Sequence, residues 1–145
     1  MILMQDGIYK QNVISKKDMF YLKDMKVHLE AFIKQVKELN VTTNGKVFYM
    51  ISEVPSNEIM KVEFFISVKE EVKEVPKGFR FHSYFGIDSM MSVRVKMNKS
   101  QGVMMAYNEI LETVNSRGIK RTTGFFHILN EVKGENYITI KVGYK

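Results

Sequence analysis

The stretch MKVHLEAFIKQVKELNVTTNGKVFYMISEV, residues 25–54, decides the fold, because VMMAYNEILETVNSRGIKRTTGFFHILNEV repeats its pattern without a gap at residues 103–132. Few residues are identical at this offset of 78, but the apolar positions coincide. In both copies they are first spaced i, i+4, i+7, i+8 and i+11, as in an amphipathic helix. A short apolar run ending in Glu-Val then predicts a buried strand. We infer an internal duplication.

Two equivalent residues mark the ends of the predicted helices. Asn40 and Gly118 are related by the offset of 78, and both residue types tolerate the left-handed conformation that a helix needs just past its last turn. We therefore predict one helix from about Leu22 to Leu39. The second is predicted to start at an Asn98 cap and to run to about Arg117.

Each repeat is predicted to have the order strand, helix, strand, strand. The strands are predicted at Gly7–Tyr21, Val47–Val54, Met60–Val68, Phe79–Met97, Phe125–Val132 and Tyr137–Val142. A break in the alternation from Gly86 to Ser89 fits a bend or bulge in the fourth strand. The last strand of each repeat alternates strictly, which predicts one apolar face covered by both helices.

The predicted fold class is therefore α+β, with pseudo-duplicated β-α-β-β units forming one antiparallel sheet and two helices on one face. The chain is expected to be a single domain over residues 1–145. Repeat one is predicted at residues 1–69 and repeat two at residues 79–145, and the charged stretch 70–78, which ends in Pro and Gly, is the predicted linker.

Composition excludes several functions. The 145 residues include no cysteine, so disulfides, thiolate metal sites and thiol nucleophiles are absent and a cytoplasmic location is expected. No run approaches the roughly 20 apolar residues of a membrane span. The 22 basic residues give a net charge of +6 but are scattered, so we expect no direct nucleic-acid contact. With no phosphate-binding loop and no His or acid cluster, we expect no cofactor, no metal and no enzymatic activity.

The second repeat opens with Gly78-Phe-Arg-Phe-His-Ser-Tyr-Phe85 and continues, after a break, into a second strand segment. With the tandem order of elements, the chain resembles the GyrI-like small-molecule-binding domain, an SHS2-type tandem repeat that also serves as the effector domain of multidrug-responsive transcription factors. It is also similar to an uncharacterised family from Gram-positive bacteria, through Asn12-Val-Ile-Ser15, Val54-Pro-Ser-Asn-Glu-Ile-Met-Lys-Val-Glu-Phe-Phe65 and Phe81-His-Ser-Tyr-Phe85. That family has no assigned activity, and its encoding near secreted polymorphic toxins implies a protein partner.

The GyrI-like resemblance implies a ligand on the open sheet face at the seam of the repeats, lined by aromatic residues and facing a Glu on the last strand. The matching position here is Thr139, so that Glu is missing, which weakens the multidrug and enzymatic interpretations. The nearest substitute is Glu63, on the equivalent strand of repeat one, although the offset of 78 pairs it with Lys141. An ordinary Glu on a half-solvated face is the alternative.

The leading hypothesis is non-catalytic binding of a small aromatic or amphipathic ligand, preferably a cation, at the seam between the repeats. The predicted site residues are Glu63, Phe65, Tyr137 and Thr139, with Tyr49, Tyr84 and His127 as walls. Packing of Tyr49 and His127 within their own repeats is the alternative for those two residues. The rival hypothesis is a protein-interaction accessory module of a toxin or secretion system. The sequence contains no helix-turn-helix for reading DNA.

Overall fold

Each half of the chain has the order strand, helix, strand, strand in the computed structural model, which describes residues 2–98 and 101–145. The elements within these ranges are β1 (Ile2–Tyr21), α1 (Met25–Lys37), β2 (Phe48–Ile51), β3 (Ile59–Ser67), β4 (Phe79–Lys96), α2 (Gly102–Ser116), β5 (Phe125–Val132) and β6 (Glu135–Gly143). A 3-10 turn, Leu22–Asp24, precedes α1. Strand β3 pairs antiparallel with β1 and β2, and β6 with β4 and β5. The predicted α+β class is confirmed.

The ends of the helices test the repeat pattern directly. Asn40 has φ +57° and Gly118 has φ +61°, so both adopt the predicted left-handed conformation beyond their helices. The predicted cap at Asn98 is wrong, because that residue lies in a turn after β4 and α2 begins at Gly102. A capping side chain must immediately precede the first helical residue, and that position is Gln101, which makes no side-chain capping bond.

The chain divides into two compact units that share its long strands. The central unit is Tyr9–Gly86, and the terminal unit comprises the residues up to Ile8 together with Ile87–Lys145. Strands β1 and β4 each pass from one unit into the other. The two points of passage, after residues 8 and 86, are 78 residues apart, which is the offset of the sequence repeat. The predicted repeats, 1–69 and 79–145, follow the sequence pattern rather than these units.

In the central unit, β3 lies between β1 and β2, and α1 packs against one face of the three strands. The core on that face consists of Ile14, Phe20, Phe32, Val36, Ile51, Met60, Val62, Phe64, Ile66, Val68 and Phe79. The ring of Phe32 from α1 stacks on that of Phe64 at 5.4 Å between centroids. Val72 and Val75 of the predicted linker also pack against this core, so the linker is part of the central unit.

The terminal unit repeats this arrangement with β6 between β4 and β5. Ile138, Ile140 and Val142 alternate along β6 and are buried, as are Tyr107 and Ile110 of α2. The ring of Tyr107 meets Phe125 of β5 edge-on at 5.1 Å. No helix within residues 2–98 and 101–145 is long and apolar enough to cross a membrane.

The strand register corrects one predicted equivalence. Met50 lies opposite Glu63 in the central unit, and Ile128, its counterpart at an offset of 78, lies opposite Thr139. Glu63 is therefore equivalent to Thr139 at an offset of 76, and its pairing with Lys141 by the constant offset is wrong. The reason is physical: the chain from Ile128 to its partner Thr139 is two residues shorter than the chain from Met50 to its partner Glu63.

Candidate functional site

The face of the central unit opposite α1, here called the groove face, is built from three cross-strand rows. These rows are Met19, Lys61 and Ser52; Lys17, Glu63 and Met50; and Ser15, Phe65 and Phe48. Successive side chains of a strand point to opposite faces, so alternate residues of β3 place a lysine, a carboxylate and an aromatic ring side by side. The face is thus charged at one end and aromatic at the other.

A groove of about 610 Å³ occupies the charged end. Its lining consists of Lys17, Asp18, Met19, Met50, Ser52, Lys61, Val62 and Glu63. Sites for small molecules typically measure about 300–1,000 Å³, so the groove is large enough for a small ligand. Met19 is 60% exposed, and a thioether is a flexible apolar surface that adapts to different ligand shapes.

Three charged groups in this groove have no partner within the described chain. Neither a hydrogen bond nor an ion pair engages the Glu63 carboxylate or the ammonium groups of Lys17 and Lys61 in residues 2–98 and 101–145. The Asp18 carboxylate differs, because it accepts hydrogen bonds from the Met19 backbone N–H and from Nδ1 of His28, both at 2.8 Å. Charged groups that lack an internal partner are available to a bound molecule.

The aromatic end of the groove face is closed by stacked rings. Phe65 is 2% exposed. Its ring centroid lies 4.9 Å from that of Phe48 and 4.9 Å from that of Phe85. Offset or tilted rings at such separations attract each other beyond the effect of area burial alone. Phe65, predicted as a ligand contact, therefore forms part of the wall behind Glu63 and exposes almost no surface itself.

His82 joins this aromatic wall to a buried hydroxyl. Its Nε2 lies 2.9 Å from Oγ of Ser15, and its ring meets Phe85 edge-on at 5.5 Å. Burial lowers the pKa of His82 from its ordinary value of 6.5, the positive charge of Arg80 lowers it further, and the Glu63 carboxylate opposes both effects. The imidazole is thus favoured in its neutral form and is coupled electrostatically to the groove.

Sequence reasoning did not identify Lys17, Lys61 or His82 as site residues. The alternation along β3 was a usable signal for Lys61, because it lies two residues from Glu63 and on the same face. Lys17 required the register of β1 against β3, and the contact between His82 and Ser15 joins residues 67 apart in sequence.

Tyr49 and His127, which the repeat relates to each other, were predicted to form walls of the site. Both lie on the strand faces that the helices cover. Tyr49 packs against the central core, and its ring meets that of Phe64 edge-on at 6.4 Å between centroids. Burial raises the pKa of its hydroxyl. His127 is buried in the terminal unit and shares a hydrogen bond with the hydroxyl of Tyr107 from α2. Both side chains therefore pack within their own units. Tyr84 belongs to the central unit and is 58% exposed.

The remaining predicted residues, Tyr137 and Thr139, lie on β6 in the terminal unit and on the face opposite α2. Thr139 is buried and lies between Arg94 and Ile128. The guanidinium of Arg94 sits 4.8 Å from the centre of the Tyr137 ring, and the Tyr137 hydroxyl donates a hydrogen bond to Glu135 at 3.0 Å. Both ends of the Tyr137 side chain are thus engaged within its own unit.

A polar cluster occupies the corresponding face of the terminal unit. Nζ of Lys141 donates to Oδ1 of Asp6 at 3.1 Å and to the carbonyl of Gly7 at 2.8 Å, and Oγ of Ser92 donates to Oδ2 of Asp6 at 2.7 Å. Burial would raise the pKa of Asp6, but the bonds from Ser92, the Gly7 N–H and Lys141 outweigh it and lower the pKa from its ordinary 3.8. These charges are satisfied internally. In residues 2–98 and 101–145 no three His, Asp or Glu side chains form a metal-binding group.

Comparison with known proteins gives a family and a fold. Residues 9–145 match the model of the family described as a domain of unknown function, DUF5085. The chain therefore belongs to this family. No curated protein matches the sequence closely enough to count as a relative.

Three solved structures show the same fold. The EcmrR C-terminal domain is 14% identical, with a TM-score of 0.70 and 99% of each chain covered. EcmrR in its complex with DNA is 15% identical, with a TM-score of 0.68, and the match covers 98% of this chain and 58% of EcmrR. An uncharacterized conserved protein from Listeria innocua is 7% identical, with a TM-score of 0.57 and coverages of 98% and 92%. At these identities the likenesses show a shared fold and no more.

Proposed function

We propose that this protein binds a small amphipathic or aromatic molecule without transforming it, and that the groove face of the central unit holds the ligand. The observation that carries the proposal is the groove of about 610 Å³, which combines the exposed thioether of Met19 and the half-buried one of Met50 with a carboxylate and two ammonium groups that lack partners in the described chain. Apolar surface with a few convergent polar groups is the usual composition of a small-molecule site. The resemblance to the GyrI-like domain supports the same class of function.

The Ser15–His82 pair supports binding over catalysis. A hydroxyl beside an imidazole is the start of a nucleophile and base arrangement, but Ser15 is completely buried in the aromatic end of the groove face. A substrate therefore has no access to its oxygen. The seam location and the cytoplasmic setting remain predictions from the sequence.

The test is a thermal-shift and calorimetry screen of aromatic and amphipathic compounds. At a ligand concentration about 100 times Kd, binding stabilises the fold by about 2.7 kcal/mol, which is an easily measured shift. We expect Glu63→Gln to weaken binding by at least about tenfold, or about 1.4 kcal/mol. The matched control Glu58→Gln changes an exposed carboxylate outside the groove lining and should leave Kd unchanged.

Two outcomes would contradict this site. Failure of every compound to shift the parent protein would remove the small-molecule function. Binding that is weakened by Tyr137→Ala and untouched by Glu63→Gln would move the ligand to the predicted seam residues and away from the groove.

The rival function, a protein-interaction accessory of a toxin or secretion system, has its own supporting observation. Helix α2 exposes Met104, Met105 and Leu111, with Met105 66% exposed. Exposed apolar side chains clustered on one element are typical of protein contacts. If this function is correct, a protein encoded at a neighbouring locus should co-purify with the parent chain. The double variant Met104→Lys, Met105→Lys should then lose that protein while Glu63→Gln keeps it.

A further inference from the structure

We propose that the ligand of the groove is a zwitterionic amphiphile, with a cationic and an anionic group close together at one end of a short apolar body. This inference rests on the function proposed above and specifies its ligand class. It replaces the lipophilic cation expected from the sequence, because that expectation considered Glu63 without its neighbours.

The three unpaired charges lie close together on the groove face. Lys17 lies directly opposite Glu63 in the pairing of β1 with β3, where Cβ atoms of facing residues are about 5 Å apart. Lys61 lies two residues from Glu63 on the same strand and face, which corresponds to about 6.8 Å along the strand. The carboxylate is therefore flanked by ammonium groups in two directions.

This arrangement disfavours a ligand with a single charge. A cation attracted to Glu63 is repelled by Lys17 and Lys61, and an anion attracted to the lysines is repelled by Glu63. A ligand whose two opposite charges lie a few ångströms apart can place its cation against the carboxylate and its anion between the ammonium groups. Such a ligand satisfies all three charges.

The groove does not neutralise these charges by itself. The facing pair Lys17 and Glu63 forms no ion pair in the described chain, in keeping with the entropy that an exposed lysine loses when it is held in one geometry. The other carboxylate in the lining, Asp18, is already held by His28 and by a backbone N–H. The charge pattern offered to a ligand is thus two ammonium groups around one carboxylate.

The apolar part of the ligand has a matching surface. Met19 and Met50 lie on the outer two strands of the groove face, on either side of the β3 charges. Unbranched thioethers adapt to an alkyl chain or a ring without requiring one shape. The open groove accommodates a short apolar body lying over these two side chains, with its charged end at Glu63.

The experiment compares four octyl compounds that share one apolar body, each used below its micelle concentration. They are octyl betaine, which is zwitterionic, octyltrimethylammonium, octanoate and neutral octyl glucoside. Calorimetric titration at pH 7 and low salt should give a Kd for octyl betaine at least about tenfold below those of the other three, a difference of about 1.4 kcal/mol.

The groove variants should exchange the preferred head group. Glu63→Gln should make octanoate the tightest ligand, because only the ammonium groups remain. Lys17→Gln with Lys61→Gln should make octyltrimethylammonium the tightest. Glu58→Gln and Lys46→Gln, which change exposed charges outside the groove lining, should keep the parent order.

The outcomes separate this inference from the proposed function. If octyltrimethylammonium or octyl glucoside binds the parent at least as tightly as the betaine, and Glu63→Gln alters that binding, the zwitterion is overturned and the groove function stands. If none of the four compounds binds the parent, or if the groove variants bind all four as the parent does, the groove fails and the inference fails with it.

Discussion

Each unit contains one cross-strand row of three residues at the same position in its strand register, and the two rows differ in the type of side chain at their centre. In the central unit, Phe65 of β3 lies between Ser15 and Phe48, and in the terminal unit Lys141 of β6 lies between Ser92 and Phe126. The serines and the outer phenylalanines coincide, so the difference is one aromatic residue against one lysine.

The partner of each buried serine follows that difference. Beside Phe65 the serine contacts His82, within a group of stacked rings, and beside Lys141 it donates to the Asp6 carboxylate. The polar cluster of the terminal unit satisfies its charges internally, whereas the central unit keeps an uncharged wall and leaves Glu63 unpaired in the groove. This contrast teaches that a duplicated scaffold can make one copy structural and leave the other able to bind.

The largest expected effect tests the aromatic wall. Phe65→Ala removes a fully buried ring and should lower the free energy of unfolding by about 3–5 kcal/mol, measured by chemical denaturation. Tyr84→Ala, which truncates an aromatic residue that is 58% exposed, is the control and should cost no more than about 1 kcal/mol. Equal losses from the two variants would show that the wall is not a packed core.

The next effect tests the polar cluster of the terminal unit. Lys141→Met removes a charged donor from Asp6 and should destabilise the protein by about 2 kcal/mol at pH 7. Lys61→Met removes an unpaired ammonium and should change stability by less than about 0.5 kcal/mol. Because the pKa of Asp6 is lowered, its contribution is present above the ordinary 3.8 and is lost as pH falls through the folded value. The difference between parent and Lys141→Met should therefore shrink in acid, and a difference that grows there would contradict the cluster.

The smallest effect is the pH response of the central unit. The pKa of His82 is lowered in the folded protein, so below its ordinary 6.5 the unfolded chain takes up a proton that the folded chain resists. Stability from the neutral imidazole is complete above 6.5 and is lost as pH falls toward the folded pKa. Unfolding free energies at pH 7 and pH 5 should show a larger loss in the parent than in His82→Gln. An equal loss would mean that His82 is not protected by the aromatic wall.

Much of this fold follows from local pattern. The periodicity of α1 and the run Phe125–Val132 were predictable because a helix or a strand displays its own period in sequence, and Asn40 and Gly118 were predictable because few residues accept a positive φ. The start of α2 was not predictable in this way, because Asn is a residue type that caps helices well, yet α2 begins only at Gly102, beyond Asn98.

The candidate site was less predictable, because it depends on pairing between distant segments. Glu63 was identified by alternation along one strand. Its neighbour Lys17 required the register of β1 against β3, and the two-residue difference between hairpins moved the equivalence of Glu63 from Lys141 to Thr139. Whether Tyr49 and His127 face the site likewise depended on which side of the strands each helix covers, and this is not evident from either strand alone.

The passage of β1 and β4 from one unit into the other bears on how such a chain arises. A single ancestral repeat would lack the strand segment that completes its own unit, because that segment belongs to the other repeat. For the central unit the segment is Phe79–Gly86, which supplies Phe79, His82 and Phe85. Such a repeat is complete only when it borrows the segment from a second copy. The present chain is therefore equivalent to a strand-exchanged pair of repeats that have been fused, and residues 1–69 expressed alone should not form a folded domain.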